Sequence, residues 1–324
     1  MRNFGTKVLS LGLALGVGLG FTVATTDSAK AWEPKKPVEF IVMAGKGGGA
    51  DKAVRFIQTI IAKNKLSSKP FTPVNKPGGS GAEALVHVKN AKDPNHTLMF
   101  TLNSFYTTPL LQPGLGVDTM TFTPIGRMAE DTFLLWVNKD SGITTVAQFV
   151  KAAKKAGNKW IMAGTGKNSE DNILTDFLNK AYGLNMKYVP YKGGGPSMRG
   201  FLADEADFTM QFKSTILGQK QNVRVLISAG SKTSFPGAPT FKDLGYNEGL
   251  GLMRRIIMAP RGIPADRLAK LRKAVKDIQG FKTYTRLIKA IGEITDHIDG
   301  PEYEKMRPKQ SMAYKELVKS LAAK

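Results

Sequence analysis

The chain has 324 residues, 47 of them Lys or Arg against 26 Asp or Glu, which gives a formal charge of +21, and it has no cysteine. That length exceeds the roughly 250 to 300 residues at which one core stops growing, so about two domains are expected. The lack of cysteine excludes disulfides, thiolate zinc sites, iron–sulfur ligation and a cysteine nucleophile, while 42% hydrophobic residues and 34 glycines describe a globular chain rich in tight turns.

The first 31 residues read as an export signal. Arg2 and Lys7 form a basic start, the apolar run extends from Val8 to Ala24, and Ala29-Lys30-Ala31 is a small-x-small site just before Trp32. Cleavage after Ala31 is expected, and with it a periplasmic protein. The other reading of the segment is an uncleaved anchor, for which a glycine-interrupted run of this length is at the low edge. Without residues 1–31 the chain has 44 basic and 25 acidic residues, a net +19. Such a field draws anions. The lysines are scattered, with no basic tail, zinc-finger spacing or aromatic–basic interleaving, so nucleic acid is not expected as a partner.

From Pro37 onward, short apolar runs alternate with helical patterns, which predicts an α/β protein with parallel sheets covered by helices. Val38 to Met43 reads as a buried strand leading into Gly45-Lys46-Gly47-Gly48-Gly49-Ala50-Asp51, after which Ala53, Phe56, Ile57, Ile60 and Ile61 share one helical face. Further strands are predicted at Phe71 to Val74, Thr97 to Thr101, Phe133 to Val137, Trp160 to Ala163, Met186 to Val189, Phe208 to Gln211 and Arg224 to Ser228. A late helix after Pro264 carries Leu268, Leu271, Val275 and Ile278. Lys46-Gly47-Gly48-Gly49 recurs as Lys192-Gly193-Gly194-Gly195, each time after a strand and before a helix, as in two lobes of similar build that aim helix starts at one cleft.

Glycine at such turns leaves N–H groups uncovered, and the following helix adds about half a positive charge at its start, so the turn holds an anion. A third such turn is Gly164-Thr165-Gly166-Lys167-Asn168-Ser169, where hydroxyls and amides either donate to a carboxylate or only cap the helix bearing Ile173, Leu174 and Phe177. Nucleotide motifs fail: Ile161 stands where a Walker loop needs glycine, and Gly79-Ser80-Gly81-Ala82-Glu83-Ala84 lacks the acid that would take a ribose. The three histidines, His87, His96 and His297, have no ligand spacing, and Ser80 lacks the nucleophile elbow. No catalytic set, metal site or cofactor is predicted.

The signal segment, the Trp32-x-Pro34 start, Phe40-Ile41-Val42, Gly47-Gly48-Gly49-Ala50-Asp51, Asn75-Lys76-Pro77-Gly78-Gly79-Ser80-Gly81 and Val189-Pro190-Tyr191-Lys192-Gly193 together resemble the Bug family, the extracytoplasmic receptors of tripartite tricarboxylate transporters. The likeness continues through Phe235-Pro236-x-x-Pro239-Thr240, Leu244-Gly245-Tyr246 and Ala259-Pro260-x-Gly262-Ile263-Pro264. It implies a two-lobed periplasmic binding protein fold of type II character, each lobe a mixed sheet flanked by helices, with the ligand cleft between them. By the resemblance, one lobe combines residues 32–128 with 252–324 and the other spans 129–251. It implies no chemistry but capture of an organic carboxylate, a dicarboxylate or an aromatic acid, by a monomer that serves membrane permease subunits. The ligand contacts it implies are Gly45, Lys46, Gly47, Gly48, Gly49, Ala50 and Asp51, then Ser104 and Tyr106, then Gly164, Thr165, Gly166, Lys167, Asn168 and Ser169, and finally Lys192, Gly193, Gly194 and Gln211.

Three departures bear on the ligand. Lys46 stands where the family has proline, and either touches the anion or points to solvent. Ala44 lacks an aromatic ring, leaving room for a bulkier ligand or for Phe105 and Tyr106 to enter. Gln211 stands where aspartate is common, and an amide donates to a carboxylate that aspartate would repel. The competing readings are an exported hydrolase or transferase using Ser80 or Ser169, and a cationic surface-binding protein.

Overall fold

A computed structural model describes residues 32–324, apart from 217–221, 231–234, 236, 247–250, 292 and 323–324. The predicted signal segment, its cleavage site and Pro236 therefore lie outside the described residues. Residues from Trp32 onward form one compact unit. In chain order its elements are β1 (Val38–Val42), α1 (Gly49–Lys63), β2 (Phe71–Asn75), α2 (Ala82–Lys89), β3 (Thr97–Thr101), α3 (Ser104–Leu111), β4 (Thr123–Thr132), β5 (Leu134–Asn138), α4 (Val146–Ala156), β6 (Ile161–Gly164), α5 (Glu170–Tyr182), β7 (Lys187–Pro190), α6 (Gly194–Leu202), β8 (Phe208–Gln211), α7 (Lys213–Ile216), β9 (Val223–Ser228), β10 (Leu252–Ala259), α8 (Ala265–Gly280), α9 (Lys282–Ile291), β11 (Ile294–Asp299) and α10 (Gly300–Ala322). Among the described residues, no helix is long and apolar enough to cross a membrane.

The strands form two sheets, ordered β11-β4-β10-β3-β1-β2 and β7-β6-β8-β5-β9. The purely parallel reading is corrected here. β1 runs parallel to β2 and β3, and β6 parallel to β7 and β8, but β10 is antiparallel to β3 and β4, β11 to β4, and β5 to β8 and β9. Strand β1 shows why both faces of the first sheet are covered. Phe40 and Val42 join the core under α1, α8 and α9, while Ile41 between them joins the core under α2, α3 and α10. The second sheet is divided likewise, with Leu135 and Val137 facing α4 and α5 while Leu134 and Trp136 face α6.

The strands that the periodicity misses are the charged ones. β4 carries Arg127, Glu130 and Asp131, and β10 carries Arg254 and Arg255, so neither reads as an apolar run. They are buried because the charges pair. Glu130 stands opposite Arg254 in the ladder and forms an ion pair with it, its carboxylate 3.1 Å from Nε, while Arg255 Nη2 reaches Asp131 at 2.7 Å and Glu293 at 3.0 Å. The chain leaves the first sheet at β4, enters the second one residue later at β5, and returns through Gly251 into β10. Phe133 N–H donates to Gly251 C=O at 3.1 Å, tying the two passages side by side.

Candidate functional site

Four helices begin at one cavity. Its volume is about 660 Å³, and its wall includes Gly48 and Gly49 at the start of α1, Ser104 at the start of α3, Ser169 and Glu170 at the start of α5, and Gly193 and Gly194 at the start of α6. Two of these helices follow strands of the first sheet and two follow strands of the second. A helix start leaves N–H groups that its own backbone cannot satisfy. In none of the four does the N-cap side chain take one up. Gly48 and Gly193 have no side chain. Asn103 accepts from Arg254 N–H at 3.2 Å and donates to Leu252 C=O, and the Ser169 hydroxyl donates to Gly166 C=O and Asp171. Helix α4, whose start is absent from the cavity wall, is capped in full by Thr145 and Gln148. At α3 the Phe105 and Tyr106 N–H groups donate to Leu102 and Asn103 C=O, so it is the uncapped starts of α1 and α6, together with four positive dipole ends converging on one volume, that suit an anion.

Two of the three glycine loops are braced from beneath by a buried aspartate. In the first, Gly47 has φ of +79°, a conformation that favours glycine, and its N–H donates to Asp51 at 2.9 Å. Asp51 also accepts from Arg55 Nε at 3.0 Å and Asn75 Nδ2 at 3.0 Å. Burial pushes its carboxyl up, and these donors outweigh burial and hold it below the usual range. In the second loop, Asp171 accepts from Thr165 N–H at 2.6 Å, from Thr165 Oγ1 at 3.1 Å, from Tyr188 OH at 3.1 Å and from the Ser169 hydroxyl. There burial wins over the same kinds of donor, and the carboxyl is raised. The third loop enters α6 through Gly193 at φ +117°, and Gln211, buried to 1% exposure, stands behind Gly194.

Of the residues expected at the site, Gly45, Lys46, Gly48, Gly49, Ala50, Ser104, Thr165, Gly166, Lys167, Asn168, Ser169, Lys192, Gly193, Gly194 and Gln211 lie on the cavity wall. Gly47, Asp51, Tyr106 and Gly164 do not. Asp51 and Gly47 are occupied with each other. Tyr106 points into the core, its hydroxyl 2.8 Å from Tyr303 and its ring stacked on Tyr314, and Phe105 is buried against Phe122, so neither ring fills the space beside Ala44. Gly164 is packed so closely beneath Tyr188 that a Cβ would overlap the ring. The Thr165 and Ser169 hydroxyls, expected to donate outward, are committed to Asp171. Sequence reading missed Phe133, Phe212, Met253 and Arg255, an apolar floor with a guanidinium beneath it, Arg255 lying 4.8 Å from the Phe212 ring centre. It also missed Glu170.

The rim carries one exposed lysine per loop, Lys46, Lys167 and Lys192, and none of them forms an ion pair among the described residues. The loops meet across the mouth. A Cβ on Gly45 would lie 3.2 Å from Lys192 C=O, and the Ser80 hydroxyl donates to Lys167 C=O, joining the segment before α2 to the loop before α5. Because that hydroxyl bridges the two sides, Ser80→Ala is expected to weaken ligand binding about three- to tenfold, the size of one net hydrogen bond, with little change in melting temperature. Equal affinity for variant and parent in calorimetry would show that the bridge does not hold the mouth closed.

The two sheets, the paired crossing strands and a cavity lined by helix starts from both sides define a two-lobed solute-binding fold. The family model described as tripartite tricarboxylate transporter family receptor matches residues 55–322. The chain belongs to that family. It is 22% identical over 282 residues to protein BugT of Bordetella pertussis, covering 83% of this chain and 84% of that one. Among solved structures, the periplasmic binding protein BugD superposes with a TM-score of 0.83 at 21% identity, covering 90% of this chain and 99% of BugD. MatC from Rhodopseudomonas palustris with bound malate gives a TM-score of 0.80 at 21% identity, covering 88% and 99%.

Proposed function

We propose that this protein is an exported, periplasmic receptor that captures an organic carboxylate, a dicarboxylate or an aromatic acid, and presents it to the membrane permease of a tripartite tricarboxylate transporter. The observation that carries the reading is the convergence of four helix starts, two from each sheet and none capped by its own side chain, on one cavity. Family membership supports the transport role, and the malate bound to MatC supports the ligand class. The signal segment is cleaved after Ala31 in this reading, and the receptor acts as a monomer. The lobe boundaries fall where the chain changes sheet, at Phe133 and Gly251. The pairing of β4 with β10 as far as Thr132 supports a first boundary near Phe133 in this reading.

Hydrogen bonds to a charged group contribute about 1.5 to 3 kcal/mol each, and micromolar affinity requires about 8 kcal/mol net. Five or six donors shared between the lobes reach that figure after ordering losses. Since neither side supplies them all, a ligand that touches both stabilises the closed form. The serines of the enzymatic reading serve the loops, Ser80 by bridging to Lys167 and Ser169 by holding Asp171. Native mass spectrometry of freshly purified protein, followed by a melting screen of mono-, di- and tricarboxylates, tests the proposal. A raised melting temperature with the ligand recovered unchanged is expected; a chemically altered ligand would favour the enzyme.

The rim lysines bear on rate more than on affinity. Replacing Lys46, Lys167 and Lys192 together with alanine is expected to slow ligand association several-fold at low salt, a difference that shrinks near 1 M salt, where screening acts over about 3 Å. Stopped-flow association rates across a salt series check this; a salt-independent difference would place at least one lysine in direct contact with the ligand.

A further inference from the structure

Among the described residues, a single acid lies on the wall of this anion cavity. Glu170, the first residue of α5, lines both the main cavity and a smaller one of about 30 Å³ behind it, which Asn103, Thr107, Ile173 and Tyr314 also line. Its Oε1 is buried without a hydrogen-bond partner, and Glu170 forms no ion pair among the described residues. The charged and titratable groups around it do not neutralise it. Asp171 on its own helix adds a second negative charge, and Tyr314 from α10 is a phenol whose hydroxyl accepts from Arg254 at 3.2 Å. Arg254 is paired with Glu130, and Arg255 on the cavity floor is held by Asp131 and Glu293. The three lysines of the wall are exposed at the rim. From α3, only the uncharged Ser104 lies close enough to act on it.

A carboxylate with no counter-charge among the described residues, one oxygen without a partner and the group otherwise served only by Ser104 and its own N–H, opposes the anion for which the helix starts are arranged. We infer that Glu170 is the proton-taking and selectivity-setting residue of the site: it admits an anionic ligand as the neutral carboxylic acid, so that wherever it is ionised in the free protein a proton enters from solvent with the ligand. The inference rests on the carboxylate-receptor reading above. In the neutral state the acid adds an O–H donor to a wall of donors, and in the ionised state it repels the ligand. Burial, aided by Asp171 and opposed by the Ser104 donors and the residue's own N–H, already pushes Glu170 up to about 7 in the free protein. A nearby ligand carboxylate pushes it further in the same direction.

The sign of the effect follows. Below about pH 7 the acid is protonated and the site is competent; above it the competent fraction falls tenfold per pH unit. The apparent Kd of the parent should therefore rise about tenfold from pH 6 to pH 8. Glu170→Gln, fixed in a neutral form, should bind at pH 8 as tightly as the parent does at pH 6.

The test uses the mature chain and three probes, malate, adipate and benzoate. Calorimetry at pH 6, 7 and 8, in phosphate and in Tris, reads proton uptake from the difference in heat between buffers. Carbon NMR of protein labelled at the glutamate carboxyl reads the titration of Glu170 directly, its resonance identified by loss in both Glu170→Gln and Glu170→Ala, each checked for folding by its melting curve. Proton uptake near neutral pH, absent in both variants, together with a Glu170 titration near 7 supports the inference. Binding at pH 8 without proton uptake, or a Glu170 titration in the ordinary carboxylate range, overturns it while the receptor reading stands. Binding of none of the three acids at any of these pH values overturns both.

Discussion

Replacing Arg255 with methionine is expected to destabilise the protein by about 3 to 5 kcal/mol at pH 8, the range for removing one partner of a buried ion pair. Arg255 is buried to 1% exposure and is the cation between two carboxylates, Asp131 and Glu293, whose side chains are each 1% exposed. Burial pushes the Asp131 carboxyl well up, and Glu293 adds to this, while Arg255 pulls it down. A group whose folded pKa lies above its unfolded value contributes stability that is present below the unfolded pKa and is lost as pH rises through the folded one. The deficit of Arg255→Met should thus be smaller near pH 5, where the stranded Asp131 takes up a proton, and largest at pH 8. Denaturant melts at the two pH values check it. Replacing all three residues together with apolar side chains of similar volume should recover most of the loss, because the desolvation of the charges is removed along with their attraction. A variant equally stable at both pH values would show that the triad does not brace the crossing strands.

Asp171→Ala should be the most damaging change to the site itself. One carboxylate holds the Thr165 N–H and hydroxyl, the Ser169 hydroxyl and the Tyr188 hydroxyl, and so fixes the backbone from β6 into α5. Charge-assisted bonds of this kind contribute about 1.5 to 3 kcal/mol each, part of which Tyr188 retains through its bond to Gly166 C=O. The expected results are a loss of roughly 2 to 4 kcal/mol in stability, a melting point lower by several degrees, and ligand binding weaker by about 30-fold or more. Asp171→Asn, which keeps an acceptor, should lie between variant and parent. Calorimetry and thermal melts on both variants distinguish a site held by this carboxylate from one indifferent to it, in which Asp171→Ala would bind as the parent does.

The strand–glycine–helix units were legible because each is local. An apolar run, a turn that tolerates positive φ and a face of Ile57, Ile60 and Ile61 all lie within about 25 residues of sequence, and the units beginning at β6 and β7 share that plan. The crossing strands were not, because Arg254 and Arg255 are buried by virtue of Glu130, Asp131 and Glu293, partners up to 124 residues away whose pairing no periodicity records. The floor of the cavity was hidden for the same reason: Phe133, Phe212 and Met253 meet only once the two sheets are placed. Tyr106 was misplaced by its nearness to Ser104; α3 sends its first residue to the cavity and turns the tyrosine toward Tyr303 and Tyr314. Glu170 did carry a signal, an acid in the first turn of a helix, but that position ordinarily reads as compensation for the helix dipole.

The measurement that bears most directly on the account is a crystal structure of the mature chain with the acid that raises its melting temperature most. The account predicts ligand carboxylate oxygens about 2.7 to 3.2 Å from main-chain nitrogens at the starts of α1 or α3 on one side and α5 or α6 on the other, with no bond in the ligand changed. A carboxylate held by one lobe alone, or seated by the rim lysines outside the cavity, would contradict it.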